Sequence, residues 1–206
     1  RVCNHPCERK CRAGDGGDSI SIRGLKRFIT DYAGLKGWTS AAGNGHPKRS
    51  ERIAVIGAGP AGLACGHRLA MNGFGVTIFD SLPIPGGMLV AGIPQYRLPR
   101  SIVEREVRMI QDAGVEIQCN KKLGRDFTID DLTRQGYKAI FLATGAYKSM
   151  PLGIAGEDAE GVMKSMEFLI DVNVNGSKTI GKRVAVVGGG NSAVDAARVA
   201  WRLPGC

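Results

Sequence analysis

The sequence predicts an α/β fold with parallel strands, on three observations. A short apolar run, RIAVIG at 52–57, passes into a glycine-rich turn and then into a helical stretch, LACGHRLAMNG, that Gly73 closes. A second strand, VTIFD at 76–80, follows directly. A strand–helix–strand unit this short sets its strands parallel through a right-handed crossover. The strand–turn–helix theme then returns in KRVAVVGGGNSAVDAARVAWRL, 182–203.

Taken in order, residues 1–12 carry three cysteines, and AGDGGD at 13–18 is turn-prone. In ISIRGLKRFITDYA, the apolar residues Ile22, Leu25, Phe28, Ile29 and Tyr32 recur at helical spacing and predict a helix with one apolar face. GLKGWTSAAGNGHPKRS, 34–50, is rich in small residues and reads as a linker. The expected divisions are a helical segment at 1–36, a linker at 37–50, a first dinucleotide-binding unit at 51–150 and the opening of a second at 151–206. Within the first unit, a loop-rich stretch precedes a helix at 101–113, a strand at 115–119 and a buried strand at 139–145. In the second, a strand is expected at 183–187, a turn at 188–190 and a helix after it. The opening Arg1-Val2 and the missing second strand of this repeat lead us to expect a piece of a longer polypeptide.

Composition narrows the function classes. A net charge of +9 is scattered over the chain, which fits a solvated surface, a docking face for an acidic partner or attraction to anionic cofactors. No nucleic-acid recognition module accompanies it, and 6% aromatic residues are too few for a base-stacking platform. No apolar run approaches the roughly 18 residues of a membrane span, and no signal pattern opens the chain, so the expected location is cytoplasmic. Without a secreted context, six cysteines do not predict a disulfide framework. Cys65, on the first helix, and Cys119, at a strand end, are expected to be ordinary buried small residues.

The first turn, Gly57-Ala58-Gly59-Pro60-Ala61-Gly62, has the G-x-G-x-x-G spacing in its proper setting, between a strand and a helix. Gly57 permits the tight turn, Gly59 lets the backbone approach a pyrophosphate, and Gly62 lets the helix pack close to the strand. Free N–H groups at the helix start favour phosphate there. Asp80 ends the second strand, where a carboxylate can accept hydrogen bonds from ribose hydroxyls. The second turn, Gly188, Gly190 and Ala193, follows a G-x-G-x-x-A pattern. A glycine turn that binds nothing is the alternative at both places, and more so at the second. Two such turns suggest FAD beside a nicotinamide dinucleotide, because hydride passes naturally from nicotinamide to flavin.

The order RVC-x3-C-x3-C, ISIRGLKRF, VIGAGPAGLA, PGGMLVAGIPQYRLP, LATGA, VVGGGNSAVDAAR covers essentially the whole chain. It resembles the small (beta) subunit of bacterial glutamate synthase. The wider group includes the N-terminal region of dihydropyrimidine dehydrogenase and the large subunit of ferredoxin:NADP transhydrogenases. The resemblance implies a Rossmann-type FAD unit, the start of a Rossmann-type NAD(P)H unit and an N-terminal helical iron–sulfur segment. It places FAD on Gly57 to Gly62, with Asp80 standing where many relatives have Glu and Ser81 after it. It puts Gly86, Gly87, Met88 and Leu89 on the flavin side, with Arg97 on the same loop, and brings Ala143, Thr144 and Gly145 past the FAD pyrophosphate. Gly188, Gly190, Asn191, Ser192, Ala193 and Asp195 match the NAD(P)H turn.

The same resemblance implies two [4Fe–4S] clusters on the N-terminal region, with Cys3, Cys7 and Cys11 matching the second half of the ligand set. Thiolates are soft, charged donors suited to such clusters. A fourth ligand is expected from upstream, and Lys26 and Arg27 stand where some relatives offer Gln or Glu to the other cluster. Zinc held with His5, or plain structural thiols, remain open alternatives for the trio. The activity implied is an oxidoreductase passing electrons between NAD(P)H and a partner subunit or ferredoxin-like carrier, in a hetero-oligomer. The alternative is a non-catalytic FAD-holding relay or scaffold. A disulfide reductase would need a C-x-x-C near the second turn, and the sequence has none. No side chain is assigned a catalytic role: Ser192 lacks a nucleophile-elbow setting, and hydride transfer needs no protein nucleophile.

Overall fold

The computed structural model describes residues 1–38, 47–176 and 179–204, so most of the expected linker, His46 and Cys206 lie outside the described residues. The chain forms two compact units, Arg1–Ala42 and Gly43–Cys206.

The first unit is helical. A four-residue helix α1, Pro6–Arg9, starts on a proline, whose missing N–H would have no partner at that position in any case. A single 3-10 turn, Arg12–Asp15, follows, and then α2, Ile22–Leu35. Polar contacts hold the cysteine segment to α2. Glu8 accepts the Arg23 backbone N–H at 2.7 Å, Arg23 Nη1 donates to the Cys3 carbonyl at 3.2 Å, and Arg1 pairs with Asp31. The expected helical period is present, and Leu25, Phe28, Ile29 and Leu35 stand exposed along α2.

The second unit holds a four-stranded parallel sheet. Its elements are β1 Arg52–Ile56, α3 Pro60–Met71, β2 Gly75–Phe79, α4 Met88–Ala91, α5 Arg100–Asp112, β3 Val115–Gln118, α6 Ile129–Arg134, β4 Tyr137–Leu142, α7 Ser165–Asn175 and α8 Asn191–Ala200. The strand order is β3-β2-β1-β4, with Ile53 of β1 level with Val76 of β2 and Ala139 of β4. β1 is buried on both faces, which is why RIAVI reads as a continuous apolar run rather than an alternating one.

Alternation within the strands sorts two cores. Val55, Val76 and Ile78 face α3 and α5 and pack with Leu63, Val103 and Val107. Ala54, Ile56 and Phe79 face the other way, against Leu132 of α6 and Tyr137. The side change follows from strand order. The chain moves outward from β1 through β2 to β3, then returns to the far side of β1 for β4, so a crossover of constant hand puts α6 on the opposite face. A reciprocal cap starts α6: Thr128 Oγ1 accepts the Asp131 N–H at 3.2 Å, and Asp131 accepts the Thr128 N–H at 2.8 Å. A third cluster, Phe168 and Leu169 of α7 with Ala196, Val199 and Ala200 of α8, lies beyond the sheet.

The expected strand at 183–187 is a correction. These residues form no ladder with any described strand, and Val184, Val186 and Val187 are exposed. A parallel strand exists only through neighbours that pair with it, and the described residues provide none. A smaller correction concerns Cys65 and Cys119. Both are half-buried rather than buried, and that partial burial pushes their thiols up from the ordinary range.

Candidate functional site

The reversal of strand order makes a crevice beyond the carboxyl ends of β1 and β4, where ligands of open parallel sheets bind. Both strands deliver expected residues there. β1 enters the Gly57 turn, and β4 runs into Ala143, whose N–H donates to the Ile56 carbonyl at 2.7 Å. Gly57 has φ +111, and a Cβ on it would lie 2.2 Å from the Ala143 carbonyl oxygen. A Cβ on Gly62 would lie 1.8 Å from the Gly57 oxygen, so both positions are closed to any side chain. Gly59 is different: a Cβ there would touch only the Gly87 Cα, at 3.9 Å. Its open side sits at the start of α3, whose first N–H groups have no partner within the helix. The turn is thus tight where it packs on protein and open where a phosphate would approach.

Two further segments frame this turn. Asp80, buried at the end of β2, accepts the Ala58 N–H on Oδ2 at 2.5 Å and the Leu82 N–H on Oδ1 at 2.8 Å. The carboxylate ties the turn to the end of β2 and keeps a further lone pair on each oxygen for a hydroxyl donor. Ser81 is exposed beside it. Gly86 donates its N–H to the Ala58 carbonyl at 2.8 Å, and Gly87, with φ +52, passes so close to Gly59 that a Cβ would meet the Gly59 Cα at 2.7 Å. Met88 and Leu89 open α4 directly after this crossing. On the β4 side, Thr144 and Gly145 continue the crevice wall, with open space around Gly145.

The second turn repeats the backbone of the first. Gly188 has φ +116 against +111 for Gly57. Gly190 has φ −76 and ψ 173, against −75 and −179 for Gly59. Space around Gly189 and Gly190 is open, and Ala193 takes the close-packing position. Asn191 and Ser192 are exposed at the start of α8, whereas Asp195 is buried. Its carboxylate accepts from Arg97 Nη1 at 2.5 Å and from Tyr96 Oη at 3.1 Å. Two expected site residues from different units of the sequence, Arg97 and Asp195, therefore meet each other. Sequence reasoning missed Tyr96, whose contact with Asp195 spans 99 residues and is set by tertiary packing.

Cys3 and Cys7 are exposed and Cys11 is half-buried. Among the described residues, no group of three or more His, Cys, Asp or Glu side chains converges on a point where a metal could sit. The cysteines are nevertheless set among hydrogen-bond donors. Backbone N–H groups, first that of Ile20 and then that of Ala13, hold the Cys11 thiol below its ordinary range, and Cys3 Sγ accepts the His5 N–H at 3.3 Å. His5 Nδ1 lies 2.9 Å from Glu8 Oε2.

Comparison with known proteins agrees with the resemblance in motif order. The chain is 44% identical over 225 residues to the NADP(+)-dependent formate dehydrogenase subunit beta of Moorella thermoacetica, covering 98% of this chain and 32% of that protein. It is 36% identical over 218 residues to the glutamate synthase [NADPH] small chain of Escherichia coli, covering 98% of this chain and 45% of that one. The chain thus spans less than half the length of these relatives. Among solved structures, Mycobacterium tuberculosis FprA in complex with NADPH aligns with a TM-score of 0.61 and 26% identity, over 73% of this chain and 36% of FprA. Residues 51–206 match the pyridine nucleotide-disulphide oxidoreductase family, and the chain belongs to that family.

Proposed function

We propose that the chain carries the FAD site and the opening part of the NAD(P)H site of an electron-transfer oxidoreductase subunit. The observation that carries this reading is the repeated backbone of the two turns, with Gly57 and Gly188 alike in φ and Gly59 and Gly190 alike in both angles. Bound at the first turn, FAD would accept a hydride and release electrons singly. The residues do the holding. Gly59 and the first N–H groups of α3 receive the pyrophosphate, and Asp80 receives ribose hydroxyls on its remaining lone pairs. Gly86, Gly87, Met88 and Leu89 cover the turn toward the flavin, with Ala143, Thr144 and Gly145 along the opposite wall. At the second turn, Gly190, Asn191 and Ser192 receive the nicotinamide dinucleotide's pyrophosphate.

Cys3, Cys7 and Cys11 are proposed as three thiolate ligands of a [4Fe–4S] cluster, which would supply one-electron transfer. Their donor chemistry fits, and backbone N–H groups hold the Cys11 thiol below its ordinary range. The electron acceptor is proposed as a partner oxidoreductase subunit or small electron carrier. Support comes from relatives named as beta subunits and small chains. A second reading, a flavin relay that binds no nicotinamide, draws on one observation: no described strand pairs with 183–187 behind the second turn.

The test is an absorption spectrum of protein purified without oxygen, with iron and acid-labile sulfide assays, followed by titration with NADPH. Flavin bands bleached by NADPH, with matching iron and sulfide, are expected. Flavin that only dithionite bleaches would favour the relay. A colourless protein would overturn the FAD reading.

A further inference from the structure

The loop after α4 and the helix of the second turn grip each other through one connected set of side chains. Asp195 is 5% exposed in the first turns of α8. It is buried next to Arg97, whose side chain is 36% exposed, and both its oxygens are engaged, by Arg97 Nη1 and Tyr96 Oη. Arg198 on the same face of α8 and Arg202 in the turn just past its end close over the Tyr96 ring: the Arg198 guanidinium carbon lies 4.4 Å and that of Arg202 4.7 Å from the ring centroid. Asp195 and Arg198, three apart, share one face of α8, and the turn that ends the helix brings Arg202 to the same ring. A buried carboxylate with one ionic partner is held firmly, because leaving it unpaired would strand a charge out of water.

This grip joins the two turns. Its loop partners, Tyr96 and Arg97, lie a few residues beyond Gly86 to Leu89, which cross over the first glycine turn. Asp195 lies five residues beyond Gly190 of the second turn. A parallel tie reinforces it, as Asn173 Nδ2 of α7 donates to the Ala91 carbonyl of α4 at 3.0 Å while α7 packs on α8. We propose that Arg97, Tyr96 and Asp195 are positioning residues: they touch neither dinucleotide and set the second turn at a fixed distance and angle from the flavin-side loop. This rests on the assignment of FAD and NAD(P)H to the two turns. Hydride transfer is steep in donor–acceptor geometry, so a shift of about 1 Å in one turn costs on the order of 100-fold in rate.

The experiment is rapid-mixing reduction of the bound flavin by NADPH, on the full-length protein as its gene encodes it, with Asp195→Asn, Tyr96→Phe and the charge-swapped pair Arg97→Asp with Asp195→Arg. The expected result for Asp195→Asn is full flavin content, unchanged half-saturation by NADPH and a limiting reduction rate lowered on the order of 10- to 100-fold. Tyr96→Phe, which keeps the ring under both arginines, slows the same rate constant less and decides the matter if Asp195→Asn does not fold. The swapped pair restores much of the loss. A limiting rate equal to wild type in the folded variants, with only a lower melting temperature, would show a merely structural contact and overturn the proposal. Raised half-saturation at an unchanged limiting rate would make Asp195 a dinucleotide ligand, and loss of flavin would make the set part of the flavin site; either overturns it. Wild-type flavin that NADPH does not reduce would instead sink the assignment of the turns, and this proposal with it.

Discussion

Gly59 and Gly62 lie three residues apart in one turn, and the structure gives alanine at each an opposite effect. At Gly62 the added Cβ would sit 1.8 Å from the Gly57 carbonyl oxygen and 3.2 Å from Val55 Cγ1. The near atom is backbone of the turn itself, so relief requires α3 to move off β1. Overpacking of this kind costs about 3 kcal/mol, and alanine's better helix propensity returns about 1 kcal/mol, leaving about 2 kcal/mol of destabilisation. For a chain of this size that lowers the melting temperature by about 4–8 °C. At Gly59 the Cβ meets only the Gly87 Cα at 3.9 Å, on a φ of −75 that alanine adopts freely. Loss of glycine at this helix-start position costs about 1 kcal/mol or less. Yet that Cβ occupies the space a pyrophosphate needs. The expected outcome is that Gly59→Ala melts close to wild type without ligand and loses the stabilisation FAD confers, whereas Gly62→Ala is destabilised before any ligand is added. Thermal melts of both variants, with and without added FAD, measure this. Gly59→Ala that retains tightly bound flavin, or Gly62→Ala as stable as wild type, would refute the division of the turn into a packed side and an open side.

Three other perturbations test separate parts of the structure. In cluster-free protein, Cys11, whose thiol is held low by the Ile20 and Ala13 N–H groups, should alkylate faster at neutral pH than Cys65 or Cys119, whose thiols burial pushes up; peptide mapping after brief iodoacetamide treatment reads the order, and equal rates would contradict it. Thr128→Ala removes the cap of α6 and should cost about 1 kcal/mol, lowering the melting temperature by about 2–4 °C, with Thr128→Ser recovering most of it. Asp126 has its carboxyl lowered from 3.8 to about 2, first by the Arg125 guanidinium and then by the Lys122 N–H. A depressed carboxyl contributes stability that is present above its unfolded value and lost as pH falls through its folded one. Asp126→Asn should therefore lower the melting temperature slightly at neutral pH and flatten its acid fall between pH 3.8 and about 2, so that the two proteins converge at the acid end.

Much of the molecule was legible from local chemistry. An apolar run, a G-x-G-x-x-G spacing and a helix closed by glycine each act over a few residues, so β1, the first turn, α3 and β2 could be read directly. The α6 cap is equally local, since Thr128 and Asp131 are three apart. Tertiary structure decided what depends on sheet order. Asp80 meets the Ala58 N–H 22 residues away because β1 and β2 are neighbours, and Gly57 meets Ala143 because β4 returns to the far side of β1. The pairing of Arg97 with Asp195 spans 98 residues, and neither residue's surroundings in sequence indicate that its charge is spent on the other. VAVV at 184–187 has the composition of a strand but no described neighbour to complete it, because a strand's hydrogen bonds belong to the sheet and not to the segment. Periodicity and turn chemistry are properties of a segment. Which segments meet, and so which polar groups are already partnered, is a property of the folded chain.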